Sequence, residues 1–330
     1  MEERDIVIIG AGPAGLSAAL FTKPDGWDTL LLEANWVGGQ GAIAYTVPNY
    51  PGFPPNDGIF LIQNMEKQAT SPPPEGVGAE LRREKVLKLD PEDRIVTTDK
   101  SQYKAKAIIL ATGSRMKRLE VPGEDKFKDR GVSYYAKLDY EKFTGKKVFV
   151  IGGGNAAAKN ALVANSKASS VTLIHRKDSL RAYPLMVKRL QKEGIEVWYN
   201  TDVKEIKGGD RAESVVLVDN KTGKEREELM DWIVICVGTE PNIEIAKEAG
   251  IETKEGVIKI DYRMMTNKEG IFACGEITGC RHHLIVAASQ GAQAGMSASE
   301  YLALEKVKRG EMFKGAIHGR YADEYLQMLK

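Results

Sequence analysis

Cysteine is scarce in this chain. Cys236, Cys274 and Cys280 serve 330 residues, too few and too unevenly spaced for a disulfide framework or a zinc site. None of the four histidines, His175, His282, His283 and His318, stands at metal-ligand spacing from a cysteine, so no metal is expected. So few thiols point by default to a reducing compartment, and a cytoplasmic protein is the expectation. No stretch approaches the roughly 18 uninterrupted apolar residues of a membrane helix. The start, MEERDIVIIG, runs from charge straight into a strand-like segment with no signal-peptide core. An excess of one charge is missing as well. Lys and Arg number 47 against 46 Asp and Glu, a balance that argues against nucleic-acid or membrane-surface partners.

Hydrophobic residues make up 42% and charged residues 28% of the chain, the proportions of a globular protein with a substantial core. The length fits about two domains. Asp5–Ile9 (DIVII) is a buried parallel strand by its β-branched content. Glycines end it, PAGLSAALFT follows as a helix, and Thr29–Leu32 (TLLL) is a second strand closing at Glu33. That order is a βαβ unit. Residues 36–55, rich in Gly, Pro and aromatics, are expected to be an ordered loop lining a site, and SPPPEG at 71–76 a rigid surface turn. Ala107–Leu110 leads as a strand into Ala111-Thr112-Gly113.

A second βαβ unit begins with Val148–Ile151, continues through GGGNAAAKNALVAN and reaches Val171–Ile174. Strands are expected around 197–203, 213–218 and 232–237, then at Ile271–Ala273, with one long helix over 284–303 and a Lys/Glu-rich tail beyond about 306. The fold class is therefore α/β, two Rossmann-like dinucleotide-binding domains with the second inserted in the first. The expected division is 1–115 with 245–330 (tail 306–330), and 116–244.

Gly10-Ala11-Gly12-Pro13-Ala14-Gly15 is GxGxxG placed directly between strand and helix. Its first glycine permits the tight turn, its second lets the backbone approach a pyrophosphate, and its third lets helix pack on strand. Glu33, 23 residues after Gly10, is placed to accept the ribose hydroxyls. Gly152-Gly153-Gly154-Asn155-Ala156-Ala157 is a second copy with alanine in the third place. Its second strand ends in His175-Arg176-Lys177, followed by Arg181. A cationic cluster at that position suits a 2′-phosphate through charge-assisted contacts, favouring NADPH over NADH, which stays open. Two such sites in one chain imply electron passage between two cofactors. A nicotinamide and a flavin are the simplest pair.

GAGPAG, GGQ at 38–40, NYPGF at 49–53, ATG at 111–113, GVSY at 131–134, GGGN at 152–155, HRKDSLR at 175–181 and ACGEITG at 273–279 occur in that order. Over nearly its whole length the chain resembles the low-molecular-weight thioredoxin reductases, FAD proteins of two-domain fold. The resemblance implies that FAD is held by Gly10, Gly12, Pro13, Ala14, Gly15 and Glu33, with Gly39, Gln40 and Asn49 toward the isoalloxazine. It also implies Val86, Ala111, Thr112 and Gly113 in the pocket, and Gly275 and Glu276 near the ribityl phosphate. Glu276 stands where most relatives carry Asp. His282 and His283 fall where relatives have an Arg-Gln pair near the flavin, beside a one-residue deletion. Gly152, Gly154, Asn155, Ala156, His175, Arg176, Lys177 and Arg181 would hold NADPH. A homodimer, and rotation of the nucleotide domain about hinges near 114–120 and 238–246, are further implications.

The pattern breaks at one place. Thioredoxin reductases follow GVSY with a Cys-x-x-Cys pair, and those positions are here Tyr135 and Leu138. Neither forms the thiolate that disulfide exchange requires. Of the three cysteines, Cys236 and Cys274 are expected in packing and Cys280 in a loop. A Cys274–Cys280 pair is the less favoured reading. The related ferredoxin–NADP⁺ reductases also lack the dithiol and carry a C-terminal extension that covers the flavin. Phe313, His318 and Tyr321 in the tail, with Tyr45 and Tyr50 in the front loop, are candidates for that cover, His318 foremost in the tail. Three functions follow: a ferredoxin–NADP⁺ reductase, an NAD(P)H oxidase or flavin reductase serving oxygen or small acceptors, and a non-enzymatic NADPH-redox sensor.

Overall fold

The computed structural model describes residues 1–310, so Phe313, His318 and Tyr321 lie outside the described residues. The chain divides into two compact units, residues 1–114 with 241–310 and, between them, 115–240.

Unit 1 is built on a mostly parallel sheet. Strand β1 (Glu2–Ile9) leads into helix α1 (Pro13–Thr22) and strand β2 (Thr29–Glu33); helix α2 (Gly58–Thr70) and strands β3 (Glu80–Arg83), β4 (Val86–Asp90), β5 (Ile95–Thr98) and β6 (Gln102–Leu110) follow. The sheet order is β3-β2-β1-β6-β5-β4. β3, β2, β1 and β6 are parallel, whereas β4, β5 and β6 form an antiparallel meander. Period-2 alternation along β1 decides its two faces. Ile6 and Ile8 pack with α1 and α2, while Val7 and Ile9 pack against the meander side.

Unit 2 repeats the plan. Strand β7 (Val132–Ser133) precedes β8 (Lys147–Ile151), helix α3 (Asn155–Asn165), β9 (Ser170–Ile174), helix α4 (Pro184–Lys192) and β10 (Glu196–Trp198). Strands β11 (Thr201–Lys207), β12 (Ser214–Asp219), β13 (Glu225–Leu229) and β14 (Trp232–Ile235) complete it. The parallel sheet runs β10-β9-β8-β14-β7, and β11-β12-β13 form a separate antiparallel sheet. Val148 and Val150 of β8 face α3 and α4, while Phe149 and Ile151 face the three-stranded sheet. The strand expected around 197–203 is in fact two strands in different sheets. Asn200 takes a left-handed conformation, φ 51°, and turns the chain from one sheet to the other.

The chain re-enters unit 1 through the short helix α5 (Glu244–Glu248) and strand β15 (Ile271–Ala273), which adds to β6 in parallel. Helix α6 (Leu284–Lys308) then packs along α1. The contact is backbone-close: a Cβ on Gly291 would stand 2.0 Å from the carbonyl oxygen of Ala14. Gly291→Val should therefore lower stability by about 1–3 kcal/mol through overpacking. Gly209→Ala, at a glycine with nothing within 4 Å of its would-be Cβ, should leave the thermal unfolding midpoint where it is.

Candidate nucleotide sites and the segment between the glycine loops

In unit 1 the glycine loop joins β1 to α1. Gly10 has φ 106°, and a Cβ there would meet the Ala111 carbonyl oxygen at 2.3 Å, so only glycine lets these two strand ends converge. Gly12 is the N-cap of α1, with no side-chain cap and nothing within 4 Å of its would-be Cβ. A helix start with no side-chain cap and open space beside its N-cap can receive an anionic pyrophosphate. Glu33 is tied to the same loop. One of its carboxylate oxygens accepts from Ala11 N–H (2.9 Å) and the other from Asn35 N–H (2.9 Å). The residues present thus fit a dinucleotide.

The other expected residues of unit 1 gather in two groups. Thr112 and Gly113 are knitted to Asn242: Thr112 Oγ1 donates to the Asn242 carbonyl (2.7 Å), Asn242 Nδ2 to the Thr112 carbonyl (2.9 Å), and Asn242 N–H to the Gly113 carbonyl (2.9 Å). Around Glu276, Ser114 Oγ donates to one carboxylate oxygen, and His282 Nδ1 lies 3.1 Å from the other. Gln40 Nε2 donates to the Ser114 carbonyl (3.2 Å), and Asn49 Nδ2 meets His283 Nδ1 at 3.4 Å. Gly275 reaches the glycine loop, since its would-be Cβ stands 3.1 Å from Ala14. Gly39 and Gln40 belong to a short 3₁₀ turn, Gly39–Gly41. Val86 is buried at the start of β4. Tyr45 is half-buried. Tyr50 packs partly on the core, and burial raises its phenol pKa.

Asn242, Ser114 and Gln290 were not foreseeable as site builders from residue type alone. Gln290 Oε1 accepts from Gly275 N–H (2.8 Å) and from Thr278 Oγ1 (2.9 Å), fixing the turn that carries Glu276. The only signal was a pair of amides, Gln290 and Gln293, in a stretch rich in Ala, Gly and Ser.

In unit 2 the second glycine loop joins β8 to α3. Gly154 is the uncapped N-cap of α3, again with nothing within 4 Å of its would-be Cβ; Ala156 is exposed in the first turn. Gly152 is packed, its would-be Cβ 2.3 Å from the Cys236 carbonyl oxygen. The basic cluster divides in two. Arg176, Lys177 and Arg181 are exposed. Their backbone is fixed: Arg176 O accepts from Asn220 Nδ2 (3.0 Å), Lys177 O accepts from Asn200 N–H (3.0 Å), and Arg181 N–H donates to Gly153 O (2.7 Å). His175 is instead buried at 5% exposure, its ring filling the space where a Gly153 Cβ would point. Its Nε2 has no hydrogen-bond partner among the described residues. Burial, with the charges of Arg181, Arg176 and Lys177, pushes its pKa below the ordinary value, although the nearby Ser179 backbone works the other way. His175 thus shapes the turn that presents its charged neighbours.

The segment 131–139 contains no thiol and is held by buried hydrogen bonds. Ser133 Oγ donates to Asp139 Oδ2 (2.5 Å) and accepts from Tyr135 N–H (3.1 Å). Ala136 N–H donates to Asn160 Oδ1 (3.1 Å), and Tyr134 OH to the fully buried carboxylate of Glu124 (2.5 Å). Leu138 is exposed at 58%. Cys236 is buried with its thiol pKa pushed up to about 12, and Cys274 is buried with its thiol raised still further. Cys280 is half-buried and raised to about 11 by burial and by Glu276. Among the described residues, no group of three or more His, Cys, Asp or Glu side chains gathers as a metal centre. No described helix is long and apolar enough to cross a membrane.

Two βαβ units, each opening a glycine loop onto an uncapped helix, define a protein of the doubly wound dinucleotide-binding class. The chain belongs to the pyridine nucleotide-disulphide oxidoreductase family, whose pattern matches residues 4–292. The thioredoxin reductase of Treponema pallidum is 37% identical over 303 residues, 90% of this chain and 97% of that protein. The structure of Lactococcus lactis thioredoxin reductase (FR conformation) aligns with a TM-score of 0.84 at 37% identity, covering 91% of this chain and 99% of that one. A ferredoxin-flavin thioredoxin reductase from Clostridium acetobutylicum aligns with a TM-score of 0.51 at 27% identity, covering 92% and 99%.

The depressed pKa of His175 has a consequence for stability. The unfolded chain binds this proton near pH 6.5 and the folded chain only at lower pH, so stability falls as pH drops below about 6.5. Thermal unfolding from pH 7.5 to 5 should show that loss, and His175→Gln should flatten the slope. An unchanged slope would mean other groups carry it.

Proposed function

We propose that this chain is an FAD-dependent NADPH oxidoreductase of thioredoxin-reductase type that works without a dithiol relay and delivers electrons to a ferredoxin-like one-electron carrier. A single observation carries the reading. The segment where the resemblance puts a Cys-x-x-Cys pair is Tyr135-Ala136-Lys137-Leu138, and the three thiols elsewhere are all held well above neutral pKa. Disulfide exchange needs a thiolate.

When bound, NADPH and FAD supply hydride transfer between nicotinamide and flavin, with no protein acid or base required. The chain's own residues bind and orient. In this reading the open N-cap at Gly12 receives the FAD pyrophosphate, and Glu33, held by Ala11 N–H, accepts the ribose hydroxyls. Glu276, engaged by Ser114 and His282, keeps acceptor capacity for a polyol because a carboxylate offers about four lone-pair sites. Arg176, Lys177 and Arg181 bind the 2′-phosphate. Tyr45 and Tyr50 are the described candidates for limiting access to the flavin. The C. acetobutylicum neighbour, a ferredoxin-flavin thioredoxin reductase, supports ferredoxin as one partner class of this fold, alongside thioredoxin. The homodimer implied by the family likeness is part of the same reading.

The test is anaerobic reduction of the purified protein with NADPH or NADH, followed by ferredoxin, thioredoxin or oxygen. NADPH should bleach the flavin, ferredoxin should restore its colour, and thioredoxin should leave it reduced. Rapid reoxidation by oxygen alone would favour an oxidase, and rapid thioredoxin reduction would sink the proposal. Replacing Arg176 and Lys177 by Gln should weaken NADPH binding about 10- to 100-fold and NADH hardly at all, from the value of charge-assisted hydrogen bonds. Equal losses for both would show that the cluster does not read the phosphate.

A further inference from the structure

Tyr183 stands just past the basic cluster. Two backbone hydrogen bonds stitch this stretch to the second glycine loop. Arg181 N–H donates to Gly153 O at 2.7 Å, and Tyr183 N–H donates to Asn155 Oδ1 at 2.8 Å. These anchors flank Gly154, the open N-cap. Between them Ala182 is buried. Pro184 opens α4 immediately afterwards and restricts the extended backbone of Tyr183, φ −57° and ψ 142°. Tyr183 is 62% exposed. An exposed aromatic residue is thus carried on backbone anchored on either side of an open N-cap, by bonds that do not involve its ring. Arg176 and Lys177 project from a turn fixed by Asn220 and Asn200.

We propose that Tyr183 is the stacking platform for the adenine base of the nucleotide held by the second glycine loop. This rests on the reading of that loop as the NADPH site and assigns the base a partner that the glycines and the basic cluster do not provide. A pyrophosphate needs N–H groups and a 2′-phosphate needs cations, but an adenine needs a flat apolar face. Tyrosine supplies that face at a low cost in conformational entropy, because its backbone is already fixed here. The division of labour has a signature. Losing Tyr183 weakens every adenosine ligand by the same factor, with or without the 2′-phosphate, whereas losing Arg176 and Lys177 weakens only the phosphorylated ones.

The experiment measures binding of 2′,5′-ADP and of 5′-AMP to the flavin-loaded protein by calorimetry, with no turnover. Tyr183→Ala should lose roughly tenfold in affinity for both ligands, the scale of one base–aromatic stack. Tyr183→Phe should bind both like the wild type. Wild-type affinity in Tyr183→Ala would overturn the proposal, as would a loss confined to 2′,5′-ADP or a Phe variant as weak as the Ala variant. If the wild-type protein bound neither ligand, the nucleotide reading of the loop itself would fail. That outcome is distinct from failure of the stacking role.

Discussion

Backbone meets backbone at the end of the first strand, and the rest of unit 1 is arranged around that approach. Gly10 turns with positive φ beneath the Ala111 carbonyl, and Gly15 brings α1 to within van der Waals reach of Gly10, where a Cβ would stand 1.9 Å from the Gly10 carbonyl oxygen. With no side chain in the way, the uncapped start of α1 stands at the carboxyl end of the parallel strands, where open α/β sheets bind their ligands. Helix α6 presses on the same helix from the other side, at Gly291 and Gly295. The small-residue composition of α1 and α6 follows from this double constraint, since larger side chains would separate the layers.

Unit 2 repeats the loop but tunes it differently. In unit 1 a carboxylate closes the second strand and accepts the loop's own N–H. In unit 2 the second strand runs into a histidine that tucks its ring against Gly153, and the charge passes to the exposed Arg176, Lys177 and Arg181. Burying one imidazole uncharged lets the next residues carry their charges outward on a turn whose carbonyls are already bonded. Similar βαβ chemistry thus gives two loops of opposite charge, a carboxylate beside the first and exposed cations beside the second.

The segment 131–139 contains no cysteine. Ser133 bonds to Asp139, Ala136 to Asn160 and Tyr134 to Glu124, so the stretch is an organised one. Desolvation raises the pKa of all three thiols elsewhere, which makes them poor nucleophiles at neutral pH.

The order of strand, glycine loop, helix and strand in both units was legible because local rules fix it: β-branched runs, glycines and small-residue helices need no distant partner to be recognised. The absence of cysteine from 131–139 was legible for the same reason, as a matter of residue identity. Other features depend on partners far away in sequence. The break at Asn200 sends one continuous β-like run into two sheets. Helix α4 buries only Leu190, too little for a clear period, and the spacing of Leu61, Ile62, Met65 and Ala69 that marks α2 follows a Gly- and Pro-rich approach that obscures it. Which side chains complete a site was decided only by folding. Asn242 reaches Thr112 across 130 residues, Ser114 reaches Glu276 across 162, and the burial of His175 depends on Gly153 lying opposite it. Sequence determined the loops, the helices that follow them and the missing thiols, because these are local. Tertiary structure decided which amide, hydroxyl and ring support each loop, because such bonds form only when remote segments have packed.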